Sequence, residues 1–147
     1  MFKAYFIRFI FLLLCFSSLN FFNISLAADK SKPETYKVVI HVTNGSKQTY
    51  RAAVNYSYSL KEEFADKVKI VVVANGPGIG IVNKNNKFKE DIEDLMKDGV
   101  DVYACNTTVR IMRKYQELHL IKGVKFTPTG VVEVVKLQHQ GYHYLHP

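Results

Sequence analysis

The chain has 147 residues, 48% of them hydrophobic, with 20 lysines and arginines against 13 acids, a formal net charge of +7 and two cysteines. That length is enough for one domain with its own core. The cations are interspersed with acids, as in KEEFADKVK and KFKEDIEDLMKD, a pattern that describes solvated helix faces and excludes a basic stripe for nucleic acid.

Residues 1–27, MFKAYFIRFIFLLLCFSSLNFFNISLA, combine Lys3 and Arg8, an apolar run from Phe9 to Phe16, and the small-x-small pattern Ser25-Leu26-Ala27. This is the pattern of a secretory signal peptide. Ser17, Ser18, Asn20 and Asn23 interrupt the apolar run before the roughly 20 residues that a spanning helix requires. Export, with the bacterial periplasm as destination, is therefore expected, and stable membrane insertion after cleavage is not. Loss of those 27 residues removes two cations, no acid and Cys15, leaving 120 residues with a net charge of +5 and Cys105 as the sole thiol. No internal disulfide is then possible, and an odd cysteine in an exported chain points to an intermolecular bond, a reactive thiol or simple burial.

Residues 28–36 (ADKSKPETY) form a polar lead-in containing Pro33. Lys37 to Val42 is β-branched and almost continuously apolar, the mark of a strand buried on both faces, and Thr43-Asn-Gly-Ser46 breaks it. Tyr50, Ala53, Val54, Ser57, Leu60 and Phe64 recur at three- and four-residue steps and predict an amphipathic helix. Val68 to Ala74 predicts a second strand, ended by Asn75-Gly-Pro-Gly78 and a loop through Gly80. From Asn86, residues Phe88, Ile92, Leu95 and Met96 fit a helix face that Gly99 terminates. Val100 to Cys105 returns to an extended pattern. Asn106, Thr107 and Thr108 are each suited to cap a short helix carrying Val109, Met112 and Tyr115 or Gln116. Val124 to Thr127 predicts a brief strand. Gly130 to Gln140 reads as a helix with Val131, Val134, Val135 and Gln138 as its stripe, in spite of the strand preference of valine. Gly141 ends it, and Tyr142 to His146 makes a last strand. Alternating strands and helices predict a single α/β domain over 37–147, with a parallel sheet covered by helices and built from right-handed crossovers.

Cys105 thus falls at the carboxyl end of a parallel strand just before a helix, where open α/β sheets place ligands. Unpaired N–H groups and the helix dipole at such a junction lower a thiol pKa. Arg110, Arg113 and Lys114 on the following helix are candidates to add positive potential. The local sequence holds no histidine or acid, so a Cys-His pair would need distant residues such as His41 or His119, and nothing in the spacing supports that. Position alone leaves a reactive thiol and a packed structural one equally open. The glycines of Gly76-Pro77-Gly78 do not have the G-x-G-x-x-G spacing of a phosphate cradle; with Asn75 they read as a turn lining the Cys105 crevice. His139, His143 and His146 would reach a metal beside Cys105 only if helix and strand converged, and no metal or cofactor is assigned.

The ordered segments KVVIHV, VVVANGPGI, VDVYACNTTVRIM and LIKGVKFTPTGVVEVVKLQHQGYHYLHP resemble the DsrE/DsrF-like family, particularly its small exported members, over about Lys37 to Pro147. The resemblance implies a three-layer α/β/α domain with a mainly parallel five-stranded sheet, assembled as an oligomer. It also implies a sulfur relay role, in which Cys105 receives sulfane sulfur as a persulfide from a protein or small-molecule donor and hands it to an acceptor. Exported relatives commonly read Cys-x-Asn-Thr, whereas here Asn106 follows the cysteine directly and Thr107 stands at the usual asparagine place. Two other readings stand beside this one: a non-catalytic oligomeric binding module with a structural cysteine, and a small-anion or nucleotide binder using Asn75 to Gly80 and the helix start at Asn106, Thr107 and Thr108.

Overall fold

The structure is a computed structural model that describes residues 35–147; the expected leader and most of the lead-in lie outside that range. Two β-branched runs and the shorter segment DVYAC make the central strands: β1 (Tyr36–Val42), β2 (Val68–Ala74) and β3 (Asp101–Cys105). Two short strands flank them, β4 (Lys125–Thr127) and β5 (His143–Leu145). The sheet order is β4-β3-β2-β1-β5, and every pairing in it is parallel. Four α-helices are described: α1 (Lys47–Phe64), α2 (Lys89–Lys97), α3 (Asn106–Met112) and α4 (Gly130–His139). Among the described residues no helix is long and apolar enough to cross a membrane.

Local chemistry sets the helix ends. Ser46 caps α1 by accepting from Thr49 N–H at 3.1 Å. Gly99 and Gly141 take φ +86°, and in each case the glycine and the next residue close back onto the last turn: Gly99 N–H on Met96, Val100 N–H on Leu95, Gly141 N–H on Gln138 and Tyr142 N–H on Leu137. These paired bonds satisfy carbonyls that a helix end otherwise leaves open, and only glycine adopts that φ without a Cβ penalty.

The period of two along each strand divides the core. Val38, Ile40, Val42, Ile70, Val72, Val102 and Ala104 face α1, α2 and α3, while Val39, Val71 and Val73 face Val134 and Leu137 of α4. Three layers result, as expected.

Three expectations need correction. The stretch after β2 is not an open loop: Gly76–Val82 forms a 3-10 helix that buries Gly78, Ile79, Ile81 and Val82. A Cβ on Gly78 would run into the Val42 carbonyl, so glycine is required for this turn to lie on β1. The stripe of α4 is also rotated from the expected one. Gly130, Val134 and Leu137 are buried, whereas Val131, Val132 and Val135 are exposed. Gly130 abuts Asn75 and Cys105, and that contact sets the rotation of the helix. The short helix after Cys105 ends at Met112, leaving Tyr115 outside it and 82% exposed.

Candidate functional site

The strand order brings the carboxyl ends of β3, β2, β1 and β5 into one row, and the α4 side of that row is polar. Cys105 closes β3 and is itself the residue preceding α3. Its side chain points toward α4, whose first residue, Gly130, has no side chain there. A Cβ built on Gly130 would lie 3.3 Å from Cys105 Cβ and 3.0 Å from Asn75 Cβ. Two helix starts, α3 and α4, therefore meet at one sulfur.

The thiol is 4% exposed. Burial among apolar atoms raises a thiol pKa, and it acts that way here, but four donors outweigh it. The Thr108 hydroxyl and the backbone N–H groups of Gly130, Thr108 and Thr107 hold the Cys105 pKa below that of an ordinary thiol. Thr108 is oriented for this, because Gly76 N–H donates to its Oγ1 at 3.1 Å and leaves the hydroxyl hydrogen to another acceptor. Thr107 N–H is shared with the Pro128 carbonyl at 3.3 Å, so it is the weakest of the four donors. The neutral thiol caps α3 through no hydrogen bond of its own; the surroundings favour the thiolate. No cation contributes to the shift.

Of the proposed lining residues, Thr107 and Thr108 lie at the sulfur, Asn75 approaches it across Gly130, and Gly76 is tied to it only through Thr108 Oγ1. The other proposed lining residues sit elsewhere. Pro77 is exposed and offers its carbonyl to the Tyr50 hydroxyl at 3.1 Å, Gly78 is packed against β1, and Asn106 and Arg110 are exposed on α3. Thr107 is tied to the loop before α4 through its hydroxyl, which donates to the Pro128 carbonyl at 3.0 Å.

Sequence reasoning weighed His41 only as a distant partner for Cys105 and His146 only as a metal ligand, and passed over Tyr144. His41 is buried at the carboxyl end of β1, with Nε2 2.9 Å from Asn75 Oδ1 and Nδ1 3.1 Å from the Tyr144 hydroxyl. An amide oxygen only accepts, so Nε2 carries the hydrogen and Nδ1 accepts from Tyr144. Burial, opposed by the Asn75 bond and assisted by nearby His146, lowers the His41 pKa and keeps the ring neutral. His146 stacks on Tyr144 and lies 2.9 Å from Thr43 Oγ1. The signal was the alternation of β1, which puts His41 on the same face as Val39, but only the sheet order reveals its neighbour. His119, by contrast, is exposed beside Glu117. His139 and His143 are exposed, and among the described residues no three His, Cys, Asp or Glu side chains converge as a metal site. A hollow of about 610 Å³ bordered by Met96, Asp101, Lys122 and Lys125 lies at the amino ends of β3 and β4, opposite the edge where such sheets bind ligands.

Comparison with known proteins bears on the fold. The model of the DsrE/DsrF-like family matches residues 36–147. The fold is similar to that of MTH1491, a protein of unknown function from Methanobacterium thermoautotrophicum, at 26% identity and a TM-score of 0.70 over 76% of this chain and 99% of that one. It is also similar to ychN from E. coli, at 17% identity and a TM-score of 0.61 over 76% and 99% of the two chains. BT1422 from Bacteroides thetaiotaomicron is similar at 14% identity and a TM-score of 0.57 over 76% and 94%. No curated protein matches the chain. The family match over nearly the whole described region and the five-stranded parallel fold place the chain in the DsrE/DsrF-like family.

Proposed function

We propose that the protein accepts sulfane sulfur on Cys105 as a persulfide and passes it to a second thiol, acting in the cell envelope after export directed by residues 1–27. The observation that carries this reading is the ionisable sulfur held among the Thr108 hydroxyl and the starts of two helices at the carboxyl edge of the sheet. A thiolate is the nucleophilic form. In loading, the Cys105 thiolate attacks the outer sulfur of a donor R–S–SH; one S–S bond forms, one breaks, the proton stays on the transferred sulfur and R–S⁻ leaves. Release is the same exchange with an acceptor thiolate, and Cys105 leaves as the thiolate that its donors stabilise. No external oxidant enters either step.

Burial of the sulfur narrows the donor to a thin one, such as an inorganic polysulfide, a small persulfide or a persulfide on a protruding chain end. The exposed face of Val131, Val132 and Val135 on α4 supports self-association beside the site. That same burial favours one competing reading, a structural cysteine in an assembly module.

Intact-mass measurement after exposure to inorganic polysulfide separates the two. The proposal expects a gain of sulfur that is absent in Cys105→Ser. No gain, together with slow alkylation of Cys105 at neutral pH, leaves the structural reading.

A further inference from the structure

We propose that Asn75 is a second contact of the transferred sulfur, its amide donating to the outer sulfur of the Cys105 persulfide, and that His41 is the positioning residue that turns the amide that way. The inference rests on the reading of Cys105 as the sulfur carrier. Its basis is geometric. Asn75 Oδ1 faces away from the crevice, occupied by His41 Nε2 at 2.9 Å, and the planar carboxamide must then direct Nδ2 elsewhere. That nitrogen has no partner among the described hydrogen bonds, and Asn75 is only half-buried. The amide carbon lies 3.4 Å from the point where a Gly130 Cβ would be, and that point is 3.3 Å from Cys105 Cβ. Asn75 and Cys105 thus both pack on Gly130, so closely that a Cβ there would crowd the two of them, and the missing side chain is what lets them approach each other. A persulfide extends the Cys105 side chain by one sulfur, and the Asn75 amide is its neighbour across Gly130.

His41 cannot turn freely, because Tyr144 occupies its other nitrogen at 3.1 Å. In this arrangement Nε2 donates to Asn75 Oδ1 and Nδ1 accepts from the Tyr144 hydroxyl; turning the amide over would require the other tautomer of His41, with Nδ1 donating to that hydroxyl. Asn75 is absent from the groups that shift the free thiol. Its contribution therefore belongs to the loaded state, and this separates the inference from the capture of the thiolate.

The test measures two quantities on the purified protein: the ratio of persulfide to thiol at a fixed inorganic polysulfide concentration, by intact mass, and the pH profile of Cys105 alkylation before loading. In Asn75→Leu the ratio should fall by up to about tenfold, the upper end for losing a hydrogen bond to a neutral group, while the alkylation profile stays within twofold of wild type. His41→Leu should lower the ratio as well, and His41→Gln, whose amide nitrogen can take the place of imidazole Nε2, should restore it. Wild-type loading in a folded Asn75→Leu, or equal loss in His41→Leu and His41→Gln, overturns the inference and leaves the carrier reading standing. A parallel shift of ratio and alkylation profile in Asn75→Leu also overturns it, since that marks a general disturbance of the crevice. Absence of loading in wild type removes the carrier reading and this inference together.

Discussion

Replacing Thr108 by valine keeps the shape of the side chain and removes its hydroxyl, the strongest of the groups that favour the Cys105 thiolate. A hydrogen bond to a charged group contributes about 1.5–3 kcal/mol. Thr108 is half-buried, so solvent screens part of that, and the lower end applies. Since one pKa unit corresponds to about 1.4 kcal/mol, the thiol pKa should rise by about one unit and the thiolate fraction at a pH below it should fall about tenfold. Gly76 N–H loses its acceptor in the same step, which should lower stability by about 1 kcal/mol and Tm by roughly 4 °C. The assay is the pH dependence of the alkylation rate of Cys105, with a thermal melt alongside. Thr108→Ser retains the hydroxyl and should restore most of the thiol pKa. An unchanged pKa in Thr108→Val, or an equal shift in Thr108→Ser, would refute the assignment of Thr108 as the donor.

Other expectations concern packing and pH. Gly78→Ala should destabilise by about 3 kcal/mol or more in chemical denaturation, because the added methyl meets the Val42 backbone, which cannot move without opening β1. Ile81→Ala, at a fully buried position in the 3-10 helix, should lose about 2–5 kcal/mol by the same measurement. The folded thiol has a depressed pKa, so the unfolded chain binds more protons between that value and the ordinary thiol pKa of about 8.5. The stability difference between wild type and Cys105→Ser should therefore grow as pH rises through that window and level off above it. His41 is also depressed. The stability that its neutral ring supplies is complete above about pH 6.5 and is lost as pH falls through the folded value, so His41→Gln should show a shallower acid loss of Tm than wild type.

Much of the fold was legible because buried parallel strands carry their own signature: KVVIHV and VKIVVVA are β-branched on both faces and admit no other assignment. Gly99 and Gly141 marked two helix ends for a reason that is local, the positive φ of the closing turn. The 3-10 segment Gly76–Val82 was not legible, since seven residues that include three glycines and a proline show no period, and their burial is settled by the close approach to β1. The face of α4 was misjudged because five apolar side chains in Gly130–His139 fit more than one stripe, and the Gly130 contact with Asn75 and Cys105 chooses among them. The site was half legible. A thiol at a strand-to-helix junction is a local feature, whereas His41 and Tyr144 are separated by 103 residues and meet only because β5 pairs with β1 at the sheet edge. The sequence places the helix start at Cys105; it does not reveal that α4 brings a second one, nor that the two together bury the sulfur.

Carrying sulfur requires release as well as loading, so the most direct measurement follows the return step. Protein loaded with polysulfide and freed of excess donor is mixed with a small thiol, and the mass of the peptide containing Cys105 is followed over a single turnover. The account predicts that one sulfur leaves, that Cys105 returns to the free thiol, and that the acceptor appears as its persulfide. Sulfur that stays on the protein, or that resides on any peptide other than the one containing Cys105, would contradict it.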